Sequence, residues 1–209
     1  GDVYKRQIKY TSTIFAVLLS EIFTIVTVNH CFKGLTSSCD GLMHLSRVKM
    51  ILDGFPQMLR WNPYWYFGVP FLRAYSPLTY YMMAFLGWTL GLSIPEGNNL
   101  LILAFTYLIF SIGTISTFFL AREMGLKDVG CLASAILFIS SSNMIAYWGL
   151  GSYPNITSIA FSPLALALFM KAVKKPSILR TFAAGLSYTV VLLLYFPNAL
   201  ILGAFTLIL

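Results

Sequence analysis

The 209 residues include 14 Lys and Arg against 7 Asp and Glu, a formal charge of +7, yet only 10% of the chain is charged while 58% is hydrophobic and 16% aromatic. With a mean hydropathy of +0.78, the polar surface is too small to cover a globule in water, which places the chain in a bilayer as an all-α, polytopic transmembrane helix bundle. The positive charge does not indicate a nucleic-acid partner, because the basic residues lie between apolar runs and form no clustered face.

Residues 1–7, GDVYKRQ, read as a non-native remnant, and the chain ends inside an apolar run, so residues 8–209 are expected to be part of a longer transmembrane domain. A helix rises about 1.5 Å per residue, so about 20 apolar residues cross a hydrocarbon core about 30 Å thick. Runs at 11–29, 99–121, 129–148, 156–172 and 181–196 approach that length, and a sixth opens at 199 and reaches 209. The first run has no small-residue cleavage pattern and is expected to act as an uncleaved anchor.

Glu21 lies near the middle of that first run. An ionised carboxylate there is costly. Two readings follow: a protonated acid bonded to a neighbouring helix, with Ser20 and Thr24 nearby, or a proton-carrying group of a transporter.

Residues 31–98 separate the first two runs. From Asp40 the apolar positions Leu42, Leu45, Val48, Leu52 and Phe55 recur at helical spacing, as in an amphipathic helix resting on the membrane surface. Asp40 stands at an N-cap position, and Gly54 with Pro56 ends the pattern. At about 100° per residue, Asp40, His44 and Arg47 fall within about 60° of one another. They are either a helix cap, its offsetting cation and a solvated histidine, or the start of a site. Asp53 falls on the opposite, solvated side and reads as structural.

The following stretch, punctuated by Pro56, Pro63, Gly68, Pro70 and Pro77 among Trp61, Trp65 and other aromatics, excludes a long helix and favours a specifically folded loop. Leu78 to Leu92 could pass for a further span. If it crossed, the basic loops 122–128 and 171–180 would fall outside, against the positive-inside bias. It is therefore expected to lie along or dip into the outer leaflet, leaving 31–98 as one long extracytoplasmic loop and both basic loops cytoplasmic.

Farther along, Gly151 to Pro154 and Tyr153 are expected to line the site from above. The Asn155-Ile156-Thr157 sequon lies too close to a span to be used. Phe118, Phe119 and Tyr195 read as lipid-contact or packing residues. No phosphate-binding loop, dinucleotide fingerprint or nucleophile elbow occurs. Cys31, Cys39 and Cys131 lack the spacing of a structural zinc site.

The order Asp40, His44, Arg47, then Gly54-Phe55-Pro56, WNPYWYFGVP (61–70) and YSPLTYY (75–81) resembles the first external loop of the GT-C superfamily of membrane glycosyltransferases. Within it, the chain is most similar to a membrane family labelled 6-pyruvoyl-tetrahydropterin synthase related, with the densest agreement over 40–81. That resemblance implies a GT-C-like bundle with amphipathic juxtamembrane helices in the external loop, and transfer of a sugar from a polyprenyl-phosphate donor to a glycan, lipid or protein acceptor outside the membrane. It puts Asp40 in the catalytic position. Some members pair two adjacent acids there, whereas Gly41 follows Asp40 here, which weakens the case for a Mg or Mn ion held at Asp40.

The chemistry asks for these residue types. A carboxylate accepting the proton of a sugar hydroxyl contributes about 10² to 10⁴ in rate. A positioned cation stabilises the departing phosphate, for which Arg47, Arg60 and Arg73 are candidates; His44 either shares in proton transfer or metal binding or supports the site by hydrogen bonding. The rival classes are a lipid or polysaccharide transporter, in which Glu21 would be central, and a GT-C-like scaffold without catalysis.

Overall fold

A computed structural model describes residues 2–31, 39–54, 61–62, 69–70, 76–94 and 96–208. In chain order the helices are α1 (Asp2–Cys31), α2 (Cys39–Gly54), α3 (Leu78–Thr89), α4 (Asn98–Glu123), α5 (Asp128–Ile139), α6 (Ser142–Gly149), α7 (Tyr153–Lys174), α8 (Ile178–Leu194) and α9 (Phe196–Ile208). Between α2 and α3 a two-residue antiparallel pair, β1 (Trp61–Asn62) with β2 (Val69–Pro70), sets Trp61 opposite Pro70 and Asn62 opposite Val69. The expected helical bundle is therefore interrupted by one short ladder in the Pro- and Trp-rich loop. Arg60 and Arg73 lie outside the described residues.

Three segments are long and apolar enough to cross a membrane: Asn98–Glu123, Asp128–Gly149 and Tyr153–Lys174. Ile14–His30, Ile178–Leu194 and Phe196–Ile208 are shorter apolar helices. The bounds of all six stay close to the apolar runs, because a chain in hydrocarbon must close its backbone hydrogen bonds within each segment.

The third run, expected as one span, is broken into α5 and α6 at Ser140-Ser141. Ser140 returns its hydroxyl to the Ile136 carbonyl and Ser141 adopts extended backbone. Serines that bond their own backbone compete with the helical ladder, and three in succession end it.

The main buried cluster draws on every helix from α1 to α7, with α1 contributing Val28 and α5 contributing Ile139 backed by the partly buried Phe138. Phe105, Ile109 and Phe110 of α4 sit at its centre with Trp148, Tyr153 and Ile156. Gly113 lets α4 approach its neighbours closely, since a Cβ there would come within 2.6 Å of Phe138 Cζ and 3.3 Å of Ala160 Cβ.

Polar bonds stitch α1 to α4. Thr24 and Thr114 share a hydrogen bond at 3.2 Å, Ser111 donates to Glu21 at 2.5 Å, and Tyr107 donates to Asn29 at 2.8 Å. Side-chain bonds of this kind join helices where lipid offers no hydrophobic drive between them.

The segment 78–92, expected to lie along or dip into the outer leaflet, packs one face of α3 into the protein. Thr79, Tyr80, Met83, Ala84 and Gly87 are buried, and the helix touches α2, α4, α7 and α8. Only its outer side, with Phe85 and Trp88 exposed, keeps the character of an interfacial helix.

At one end of the bundle Lys174 bonds the Glu123 carbonyl, which brings the two basic turns together. α7 begins at Tyr153 and ends at Lys174, so its opposite end stands about 33 Å away. That length is close to the thickness of a bilayer's hydrocarbon core.

Candidate functional site

α2 ends at Gly54 as the sequence pattern places it but begins at Cys39, so Asp40 is not its N-cap but an acid inside the first turn, near the positive end of the helix dipole. Its buried face differs from expectation. Leu45, Val48 and Ile51 are buried, but so are His44 and Arg47, whereas Leu42 is 52% exposed. The reading of His44 as a solvated bystander is overturned, because α3 supplies a polar partner that the helix period cannot reveal.

That partner is Tyr80. Its hydroxyl lies 2.7 Å from His44 Nδ1, and Arg47 Nη1 lies 3.2 Å from the same nitrogen and 3.5 Å from the Tyr80 oxygen. Arginine has no acceptor, so Nδ1 must accept. The tyrosine O–H donates to that nitrogen, its oxygen accepts from the guanidinium, and the imidazole carries its proton on Nε2. The Arg47 guanidinium also sits 5.7 Å from the centre of the Tyr80 ring, within cation–π range.

Burial, with the Arg47 charge second, lowers the His44 pKa from 6.5 to about 4 despite the opposing pull of Asp40. His44 is neutral in the folded protein at ordinary pH. As pH falls from 6.5 toward about 4 the unfolded chain takes up a proton that folded His44 refuses, so stability is lost through that window, by about 3 kcal/mol in all. Thermal unfolding in detergent between pH 7 and pH 4 should show this loss, and His44→Gln should flatten it.

His44 and Arg47 form one wall of a cavity of about 210 Å³, with Asp40 and Met43 beside them. The facing wall comes from Ser152, Pro154 and Asn155 at the start of α7, and from Tyr195 between α8 and α9. Asp40 is exposed at this cavity while Arg47 is only 4% exposed. An accessible acceptor and a sequestered cation therefore share one space.

Local sequence explains the facing wall. Gly151, in the left-handed region at φ 77°, turns the chain from α6 into α7. Pro154 is tolerated in the first turn of α7, where its missing N–H has no helical partner. Tyr195 is a single extended residue, φ −163° and ψ 107°, ahead of Pro197, whose absent N–H ends the ladder.

Tyr195, read from the sequence as a packing aromatic, is thus a cavity residue. Phe118 is packed as expected, and Phe119 is 43% exposed. Tyr153 contacts the site through His44, with ring centres 5.9 Å apart, and passes to the core through Trp148 at 5.0 Å. Asp53 pairs with Lys49 on the exposed side of α2 at 2.7 Å, as a structural residue would.

Glu21 stays within the α1–α4 seam, with its second oxygen, Oε1, enclosed and unpartnered among the described residues. In the sequon, Asn155 accepts from Asn198 through its Oδ1, and Thr157 is buried with its hydroxyl on the Tyr153 carbonyl. Among the described residues no group of three His, Cys, Asp or Glu could hold a metal ion.

A family model described as "6-pyruvoyl-tetrahydropterin synthase related domain; membrane protein" matches residues 72–209, about two thirds of the chain. The chain belongs to this family. No curated protein matches it. The match covers Tyr80, Ser152, Asn155 and Tyr195, but begins after Asp40, His44 and Arg47. It overlaps the 40–81 stretch, where the sequence resemblance is densest, only over 72–81.

Proposed function

We propose that this membrane protein is a glycosyltransferase of the GT-C type, moving a sugar from a polyprenyl-phosphate donor to a glycan, lipid or protein acceptor on the extracytoplasmic face. The reading is carried by one observation: exposed Asp40 shares a cavity with the buried Arg47 guanidinium. In this scheme Asp40 accepts the proton of the acceptor hydroxyl, and Arg47 balances the charge that grows on the departing phosphate. Neutral His44 and Tyr80 hold the guanidinium in place.

A Mg or Mn ion at this site would have one carboxylate from the described residues. It would draw its other ligands from phosphate and water, in the way Mg commonly binds.

The proposed sidedness is supported by the distance between the cavity and the two basic turns. Single cysteines replacing exposed Ser93 and Lys127 in a background without Cys31, Cys39 and Cys131 should behave oppositely. The first should label from outside intact cells and the second only after permeabilisation. Labelling of both from one side would remove the proposed topology.

The rival transporter reading draws on the unpartnered Oε1 of Glu21. Against it stands the bond from Ser111, which makes Glu21 one of three polar ties between α1 and α4. Transfer from a prenyl-phosphate sugar, compared between wild type and Asp40→Asn, is the deciding assay.

A further inference from the structure

The wall facing Asp40 contains an amide whose orientation is fixed by chemistry. Asn198, on α9, places Nδ2 3.1 Å from the Asn155 backbone carbonyl and 2.8 Å from Asn155 Oδ1. A backbone carbonyl can only accept, so the Asn198 group facing it must be the NH2. The Asn155 atom facing that same NH2 must then be its oxygen. This leaves Asn155 Nδ2 turned away from Asn198 with two N–H donors, and Asn155 is part of the cavity wall. No bond from that nitrogen to another described residue satisfies them.

We propose that Asn155 is a ligand-binding residue whose amide donates to a phosphate oxygen of a prenyl-phosphate ligand, and that Asn198 is the positioning residue that holds it in that sense. The identity of the ligand rests on the glycosyltransferase reading above; the direction of the donor does not. The cavity is matched to such a ligand. Arg47 offers a guanidinium on one wall, the amide and the hydroxyls of Ser152 and Tyr195 stand on the other, and Asp40 is the one carboxylate lining it among the described residues. Hydrogen-bond donors around a cation select an anionic, oxygen-rich group.

The tight connection between α8 and α9 gives Asn198 its reach. One extended residue, Tyr195, separates the two helices, so the first turn of α9 returns beside the first turn of α7. Both cavity-lining Tyr195 and amide-holding Asn198 come from this one break.

The test uses the full chain in lipid nanodiscs and farnesyl phosphate as the probe, with farnesol as the uncharged comparison. Asn155→Asp keeps an oxygen toward Asn198 and removes the donor, while Asn155→Leu removes it without adding charge. Both should raise the Kd for farnesyl phosphate about tenfold or more, with the unfolding temperature of Asn155→Asp unchanged. Asn198→Ala should weaken binding less, and Asn198→Ala combined with Asn155→Asp should be no worse than Asn155→Asp alone, because the two residues act through one donor.

Wild-type affinity in Asn155→Leu, additive losses in the double variant, or equal binding of farnesol would overturn the proposal. If the binding pattern holds while the wild type transfers no sugar, the phosphate site stands and the glycosyltransferase assignment falls.

Discussion

Replacing Asp40 by Asn in the full-length protein is expected to lower sugar transfer by about 10² to 10⁴, the range a lost general base commands, while expression is unchanged and the unfolding temperature falls by no more than a few degrees, the loss of one helix-dipole contact. The side chain is exposed at the cavity and makes no packing contact that the core depends on. Asn keeps its shape but cannot take up the acceptor proton. Binding of a prenyl phosphate should persist, since the donors that would hold phosphate lie elsewhere in the cavity. Glu21→Gln should leave transfer within a small factor of wild type. A transfer rate unchanged in Asp40→Asn, or abolished only in Glu21→Gln, would move the protein to the transporter class.

Trp148→Ala carries the largest expected loss of stability. Trp148 is 3% exposed and meets Phe110 edge-on at 5.8 Å, Phe105 at 6.3 Å and Tyr153 at 5.0 Å. Truncating a buried tryptophan costs about 3–5 kcal/mol, because the surroundings close only partly over the vacated volume. The unfolding transition should drop by ~10 °C. Tyr153 loses its backing in this variant, so the His44 wall of the cavity loosens and apparent affinity for ligand falls as well. Trp148→Phe should recover most of both losses. An Ala variant that melts with the wild type would mean that the column from Phe105 to His44 is not what supports the site.

The two expectations differ in kind because the two residues sit on different links between sequence and function. Asp40 adds nothing measurable to packing and is expected to act only when a substrate is present. Trp148 never reaches the cavity, and its influence passes through Tyr153 to His44. A uniform loss of both activity and stability in Asp40→Asn would therefore argue against a purely chemical role.

Hydropathy alone determined the helical membrane bundle, the outer limits of its apolar segments and the pairing of the basic turns at one end. Each of these depends on contiguous runs of residues: a helix in hydrocarbon satisfies its own backbone, and loop charge is counted locally. The helix over 39–54 and its shared Asp40, His44 and Arg47 face followed from the 3.6-residue period in the same way. That period could not say what the face touches. Tyr80 is 36 residues beyond His44, and only the docking of α3 on α2 decides between a solvated histidine and a buried neutral one. Nor could it reveal that Tyr195 joins Asn155 at the cavity, or that Asn198 fixes the sense of the Asn155 amide, 43 residues away. Those choices belong to tertiary packing, because a side chain's partner, its protonation state and the direction of its donors are set by atoms distant in the chain.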